Sequence, residues 1–88
     1  MSSKNKELIK RGAELKPTIH VGKSGITEGI VDEIVRQIKE KHLVKVKLLP
    51  SSDVPKEDAA AELAERTQTG LVDLRGNTVL LCDKRLFQ

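Results

Sequence analysis

The stretch from Thr27 to Lys41 constrains the chain most. Ile30, Val31, Ile34, Val35 and Ile38 recur at helical spacing and form one apolar stripe, with Asp32, Glu33, Arg36, Lys39 and Glu40 on the other side. β-Branched side chains lose rotamer freedom in a helix, so this stripe forms a helix poorly on propensity alone. It needs burial to persist, and the face of a sheet supplies that burial. Thr27 is a good N-cap, Glu28 suits the positive first turn, and Lys39 and Lys41 suit the negative end. Asp32 and Arg36 are spaced to pair at i,i+4. With 88 residues there is room for one small domain and one core.

The strands that this helix requires are legible on either side of it. Thr18-Ile19-His20-Val21 alternates as a short strand, with Ile19 and Val21 inward and His20 outward. Leu43 to Leu49 alternates again, with Val44, Val46 and Leu48 on one face and Lys45 and Lys47 on the other. Those two lysines either contact phosphate or simply keep that face soluble. Leu71–Arg75 and Thr78–Cys82 flank Gly76-Asn77, a two-residue hairpin turn, and Cys82 reads as a small core residue at a strand end. The tail from Asp83 to Gln88 is expected to fray.

Two further helices complete the pattern. The first runs from about Lys4 to Glu14, capped by Ser3 and ended by Lys16-Pro17. Leu8 and Leu15 share its stripe with Gly12. A glycine there costs about 1 kcal/mol against alanine, which implies that something packs closely on it. Before the third helix, Pro50-Ser51-Ser52-Asp53 breaks the strand and offers caps, and Pro55 fits the first turn. Ala60, Leu63, Ala64 and Thr67 form its buried stripe, and Gly70 suits a left-handed stop. Its outer face is acidic (Glu57, Asp58, Glu62, Glu65) and ill suited to nucleic acid. The order αβαβαββ predicts a two-layer α/β fold with a four-stranded mixed sheet. Helix-linked strands are parallel with right-handed crossovers, and the hairpin is antiparallel. Residues 1–88 form a single domain, with a loosely ordered tail after about residue 83.

Function centres on Gly22-Lys23-Ser24-Gly25, between the first strand and the Thr27 helix. Its glycines allow a tight turn, and the helix N-terminus beyond it has free amides and a positive dipole end, so the loop can seat a phosphate. A tight strand-to-helix turn with no ligand is the alternative. Residues 1–49 hold eleven Lys/Arg against six Asp/Glu, whereas residues 50–88 hold five against seven. The glycine loop thus lies in the basic half, which suggests a polyanionic partner on one side of the molecule. Lys6 and Lys10 share a face of the first helix with Arg11 nearby, either as part of that surface or as a solvated helix face.

Several classes are disfavoured. Apolar residues make up 38% and charged residues 33%, a balance that folds. No apolar run approaches the roughly 20 residues of a membrane span, and the N-terminus carries no signal-peptide pattern. Cys82, the single cysteine, has no internal disulfide partner, which fits a reducing cytoplasm. His20, His42 and Cys82 stand at no metal-binding spacing. A nucleotide-binding phosphate loop requires a glycine five positions before Gly22, where Pro17 stands. No nucleophile–base pair or catalytic carboxylate pair is recognisable, so the expectation is a non-catalytic protein without cofactor or metal. The single aromatic residue, Phe87, argues against stacking platforms and for recognition through phosphates, sugar hydroxyls and shape.

The chain resembles a stand-alone CRM domain, the YhbY-like family of RNA-binding proteins. The resemblance rests on Arg11-Gly12, Leu15-Lys16-Pro17, Val21 through Gly29, Leu43 through Lys47, and Gly70 and Gly76, in order over residues 3–83. It implies a fold similar to the C-terminal domain of translation initiation factor 3. It also implies association with ribosomal or pre-ribosomal RNA in prokaryotes, and with intron RNA in plant organelles. Gly22, Lys23, Ser24 and Gly25 match the family's RNA-contacting loop, with Lys10, Arg11 and Lys16 as accessory contacts. Family members often end the last strand with an aromatic residue and an arginine; this chain has Cys82 and Asp83 there. The resulting expectation is a cytoplasmic protein that binds structured, ribosomal RNA in ribosome assembly. The rivals are a protein-docking module of a ribonucleoprotein assembly and a chromatin-like DNA binder.

Overall fold

The computed structural model describes residues 3–22, 25–49 and 55–85. The elements are α1 (Ser3–Glu14), β1 (Ile19–Val21), α2 (Glu28–Lys41), β2 (Leu43–Leu48), α3 (Lys56–Thr67), β3 (Thr69–Arg75) and β4 (Thr78–Asp83). They form one four-stranded sheet in the order β1-β2-β4-β3. β1 runs parallel to β2, while β4 is antiparallel to both β2 and β3. The expected α/β fold with a mixed sheet is therefore present.

The stripe on α2 is buried along its centre only, and Val31 and Val35, at its edges, are half-buried. Ile34 and Ile38 are buried, and Ile30 packs at their margin. They meet Ile19, Val21, Val44, Val46 and Leu48 from the sheet, while Ala60 and Leu63 arrive from α3. Thus α2 and α3 cover one face. Among the described residues, the opposite face receives α1: Leu8 packs with Leu43, Leu80 and Cys82 in a second, smaller cluster. Gly12 explains the close approach. A Cβ there would lie 2.7 Å from Leu80 Cδ1 and closer still to Cδ2.

Several local details differ from expectation. Leu15 is 40% exposed, because α1 ends at Glu14 and the Leu15 N–H turns back to the Gly12 carbonyl at 3.1 Å. Arg36 pairs with Glu33 rather than Asp32; Glu33 also accepts from Gln37, so three side chains share one face. Pro55 is the N-cap of α3 rather than part of its first turn, and residues 50–54 lie outside the described residues. The left-handed stop of α3 is Gln68 (φ 56°), not Gly70. Its N–H reaches back to Ala64 and Glu65, so the helix closes two residues early and Gly70 enters β3 opposite Cys82. The Thr67 hydroxyl donates to the Leu63 carbonyl at 2.6 Å and meets the Thr69 hydroxyl at 2.8 Å, so both buried threonines are satisfied. α2 also ends on a left-handed non-glycine residue, His42 (φ 67°).

The hairpin turns at Gly76-Asn77 as expected, with Arg75 opposite Thr78. Upstream, a bulge falls between Leu71 and Asp73, which pair with the consecutive residues Leu81 and Leu80. Leu71 and Leu74 are three apart and would face opposite ways in a regular strand. The extra residue, Val72, lets both pack on the main core while Val72 itself joins the α1 cluster. Asp83 is not part of a frayed tail: it closes β4, with its N–H on the His42 carbonyl at 3.0 Å.

Candidate nucleic-acid interface

The glycine loop leaves the C-terminal end of β1. Gly25 has φ +75°, a left-handed backbone that side chains disfavour, and its N–H donates to the Gly22 carbonyl at 2.9 Å. Lys23 and Ser24, between them in sequence, lie outside the described residues. Beyond the loop, Thr27 caps α2: its hydroxyl accepts from the Ile30 N–H at 3.2 Å. The Arg66 guanidinium reaches from α3 to the Ile26 carbonyl at 3.0 Å and also holds Glu62. The loop is thus tied at both ends, with the N-terminus of the 14-residue helix α2 directly behind it.

Of the accessory residues, Lys10 and Arg11 are exposed on α1, and Lys16 is exposed just beyond it. They do not gather around the loop. Lys16 precedes β1 whereas Gly22 follows it, so the three-residue strand separates them. Lys10 instead lines a cleft of about 290 Å³ between α1 and the hairpin, facing Asp73, Arg75 and Thr78.

The sheet face under α1 is ordered in rungs, since paired residues on neighbouring strands point the same way. One rung, Leu43 with Cys82, is covered by Leu8. The next, Lys45, Leu80 and Asp73, lies beneath Gly12. The third, His20, Lys47, Thr78 and Arg75, is nearest the glycine loop.

This register separates two lysines that the sequence treats alike. Lys45 Nζ donates to the Gly12 and Leu15 carbonyls at 3.1 and 3.2 Å, capping the end of α1 as the second donor on Gly12, whose carbonyl also accepts the Leu15 N–H. Lys47, one rung on, is exposed. Lys45→Ala is expected to lower the unfolding free energy by roughly 1–2 kcal/mol, and Lys47→Ala to stay within about 0.5 kcal/mol of wild type. Urea unfolding of the two variants checks this.

The Cys82-Asp83 pair lies at the far end of the sheet. β2 runs from Leu43, beside Cys82, to Leu48, beside the loop, a span of about 17 Å. Burial, with the Asp83 charge adding to it, pushes the Cys82 thiol up to about 11. The Asp83 carboxylate accepts from the Arg85 N–H at 3.0 Å and meets His42 Nδ1 at 3.4 Å. The Arg85 bond first, then His42, holds its carboxyl below the usual range. Asp83 is occupied locally and stands well away from the glycine loop.

A small α/β domain with a capped helix behind a glycine loop and a basic face on the α1 side fits a class of nucleic-acid-binding modules. The CRS1 / YhbY (CRM) domain matches residues 1–82, and the chain belongs to that family. It is 29% identical over 82 residues to "Probable RNA-binding protein YqeI" of Bacillus subtilis, covering 92% of this chain and 85% of that protein. It is 32% identical over 73 residues to "Probable RNA-binding protein PA4753" of Pseudomonas aeruginosa, covering 83% and 70%. The solution structure of SAV1595 from Staphylococcus aureus superposes with a TM-score of 0.77 at 25% identity, covering 91% of this chain and 83% of that one.

Sequence reasoning gave no place to Arg75, beside the hairpin turn, or to Arg66, which ties Ile26, and read His20 only as an outward strand residue. The two-residue turn fixes Arg75 opposite Thr78 and was a usable signal. That β4, not β3, lies beside β2 could not be read from spacing.

Proposed function

We propose that this protein is a non-catalytic RNA-binding protein that contacts structured, ribosomal or pre-ribosomal RNA during ribosome assembly. Lys23 contacts phosphate and Gly22 and Ser24 present backbone amides, while Gly25, whose N–H is taken by the Gly22 carbonyl, shapes the turn and lets RNA approach closely. Lys10, Arg11 and Lys16 extend the basic surface. The observation that carries this reading is the placement of the loop: a left-handed Gly25 leads into the Thr27-capped start of α2, where amides and dipole favour an anion. Family membership and the names of the relatives support RNA as that anion. The polarity of the domain agrees, since the acidic exposed residues of α3 lie on the sheet face opposite α1.

The test is competition binding with a structured ribosomal RNA fragment, a single-stranded RNA and duplex DNA, each across a range of salt. The structured RNA is expected to bind best, with affinity falling steeply as salt rises. Equal binding to duplex DNA would favour the chromatin-like reading. No RNA binding above background at low salt would overturn the proposal and leave the same surface to a protein partner.

A further inference from the structure

The rung nearest the glycine loop has an ordered set of cationic and polar groups. His20, Lys47, Thr78 and Arg75 come from four different strands and stand side by side in register. At the usual strand spacing the row is about 14 Å across. His20, Lys47 and Arg75 are exposed, and α1 does not reach far enough to cover them. Arg75 has an ionic partner here: Asp73 Oδ2, one rung back, lies 3.1 Å from its Nε while the side chain stays 76% exposed. A guanidinium paired on its Nε side keeps its terminal nitrogens for a second acceptor. Lys10 stands across the cleft from Arg75 and Thr78. Both ends of the row adjoin backbone at the loop end of the sheet. Leu49 N–H bonds the Val21 carbonyl at 2.8 Å, and Leu48 N–H bonds the Asn77 carbonyl of the hairpin turn.

We propose that this row, with Lys10 opposite it, is a second RNA contact. It carries the sugar–phosphate backbone across the sheet from the glycine loop towards the β3–β4 hairpin. The inference rests on the RNA-binding reading and adds a path to it. Lys47 and Arg75 contact phosphates, Thr78 offers a hydroxyl between them, and Lys10 closes the cleft from the α1 side. The row contains no Phe, Tyr or Trp, and its one ring, the His20 imidazole, stands at the β1 edge outside the Lys47–Arg75 path, so that path holds RNA by charge. Asp73 orients Arg75; its own charge sits one rung behind the path. Lys45, already bonded to the end of α1, is not part of the contact.

The test compares wild type, Lys47→Ala/Arg75→Ala, and Lys39→Ala/Lys41→Ala, which removes the same charge from the last turn of α2. Each is titrated over salt with two RNA hairpins of equal length and different base sequence, and Lys23→Ala serves as the loop reference. The row variant is expected to lower the slope of log affinity against log salt by roughly 1.4–1.8, at about 0.7–0.9 per phosphate contact. The loss should be equal on both hairpins, and the α2 control should keep the wild-type slope. If Lys23→Ala weakens binding while the row variant keeps the wild-type slope, the row proposal fails and the loop reading stands. If the α2 control loses as much as the row variant, binding follows net charge and the row proposal fails. If wild type binds neither hairpin, both readings fall.

Discussion

Replacing Ile34 by alanine is expected to lower the unfolding free energy by roughly 2–5 kcal/mol, more than any other single substitution proposed for this domain. Ile34 is fully buried on the α2 stripe, among the sheet residues of the main core and the side chains of α3. A domain of 88 residues is stable by roughly 4–13 kcal/mol in total, so the loss is a large share of the whole. It has two parts, the transfer energy of the removed carbons and the cavity they leave. Relaxation is restricted because the site is closed by the sheet on one side and α3 on another. Val35, half-buried on the same helix, is the comparison, and its alanine variant should cost clearly less. Urea unfolding monitored by circular dichroism reads both. A loss below about 1 kcal/mol for Ile34→Ala would mean that α2 does not depend on burial of its stripe.

Gly25→Val is expected to act on the backbone alone. Among the described residues, no heavy atom lies within 4 Å of an ideal Cβ at Gly25, so the substitution meets no steric neighbour there. Its φ of +75° is the difficulty: a β-branched residue there costs of order 1–3 kcal/mol. The chain either bears that strain or re-forms the turn, and re-forming it breaks the Gly25-to-Gly22 bond that closes the loop. RNA affinity is expected to fall about tenfold, equivalent to about 1.4 kcal/mol, with a smaller loss of stability than Ile34→Ala. Gly29→Ala is the contrast. Among the described residues a Cβ there meets only Thr27 Oγ1, at 3.8 Å, so helix propensity should stabilise the protein by up to about 1 kcal/mol and leave RNA binding unchanged. D-Alanine at position 25, which tolerates the left-handed backbone, should restore the affinity that valine loses. Binding isotherms at fixed salt, paired with melting curves, separate these effects.

Much of the fold was legible in the sequence because the signals were local. The α2 stripe, the Thr27 cap, the alternation of β2 and the Gly76-Asn77 turn each depend on residues a few positions apart. The closeness on Gly12 was also readable, since a helix accepts a mid-stripe glycine at a cost that packing offsets. The misses required tertiary information. Gln68 and His42 take left-handed backbone without being glycine, because the strands that follow them fix where the helices must end. The bulge at Val72 follows from the need to bury both Leu71 and Leu74. For the interface, Lys45 and Lys47 carry the same pattern in sequence. Only the course of α1 over the sheet makes one a cap for a helix and leaves the other in an open row.

The most direct test of the glycine–lysine loop as the RNA contact is the salt dependence of binding to a structured ribosomal RNA fragment, measured for wild type and Lys23→Ala. Wild type is expected to bind tightly and to weaken steeply with salt. Lys23→Ala is expected to lower the affinity and to reduce the slope of log affinity against log salt by about 0.7–0.9, one phosphate contact. A Lys23→Ala variant with wild-type affinity and wild-type slope would contradict that role for the loop.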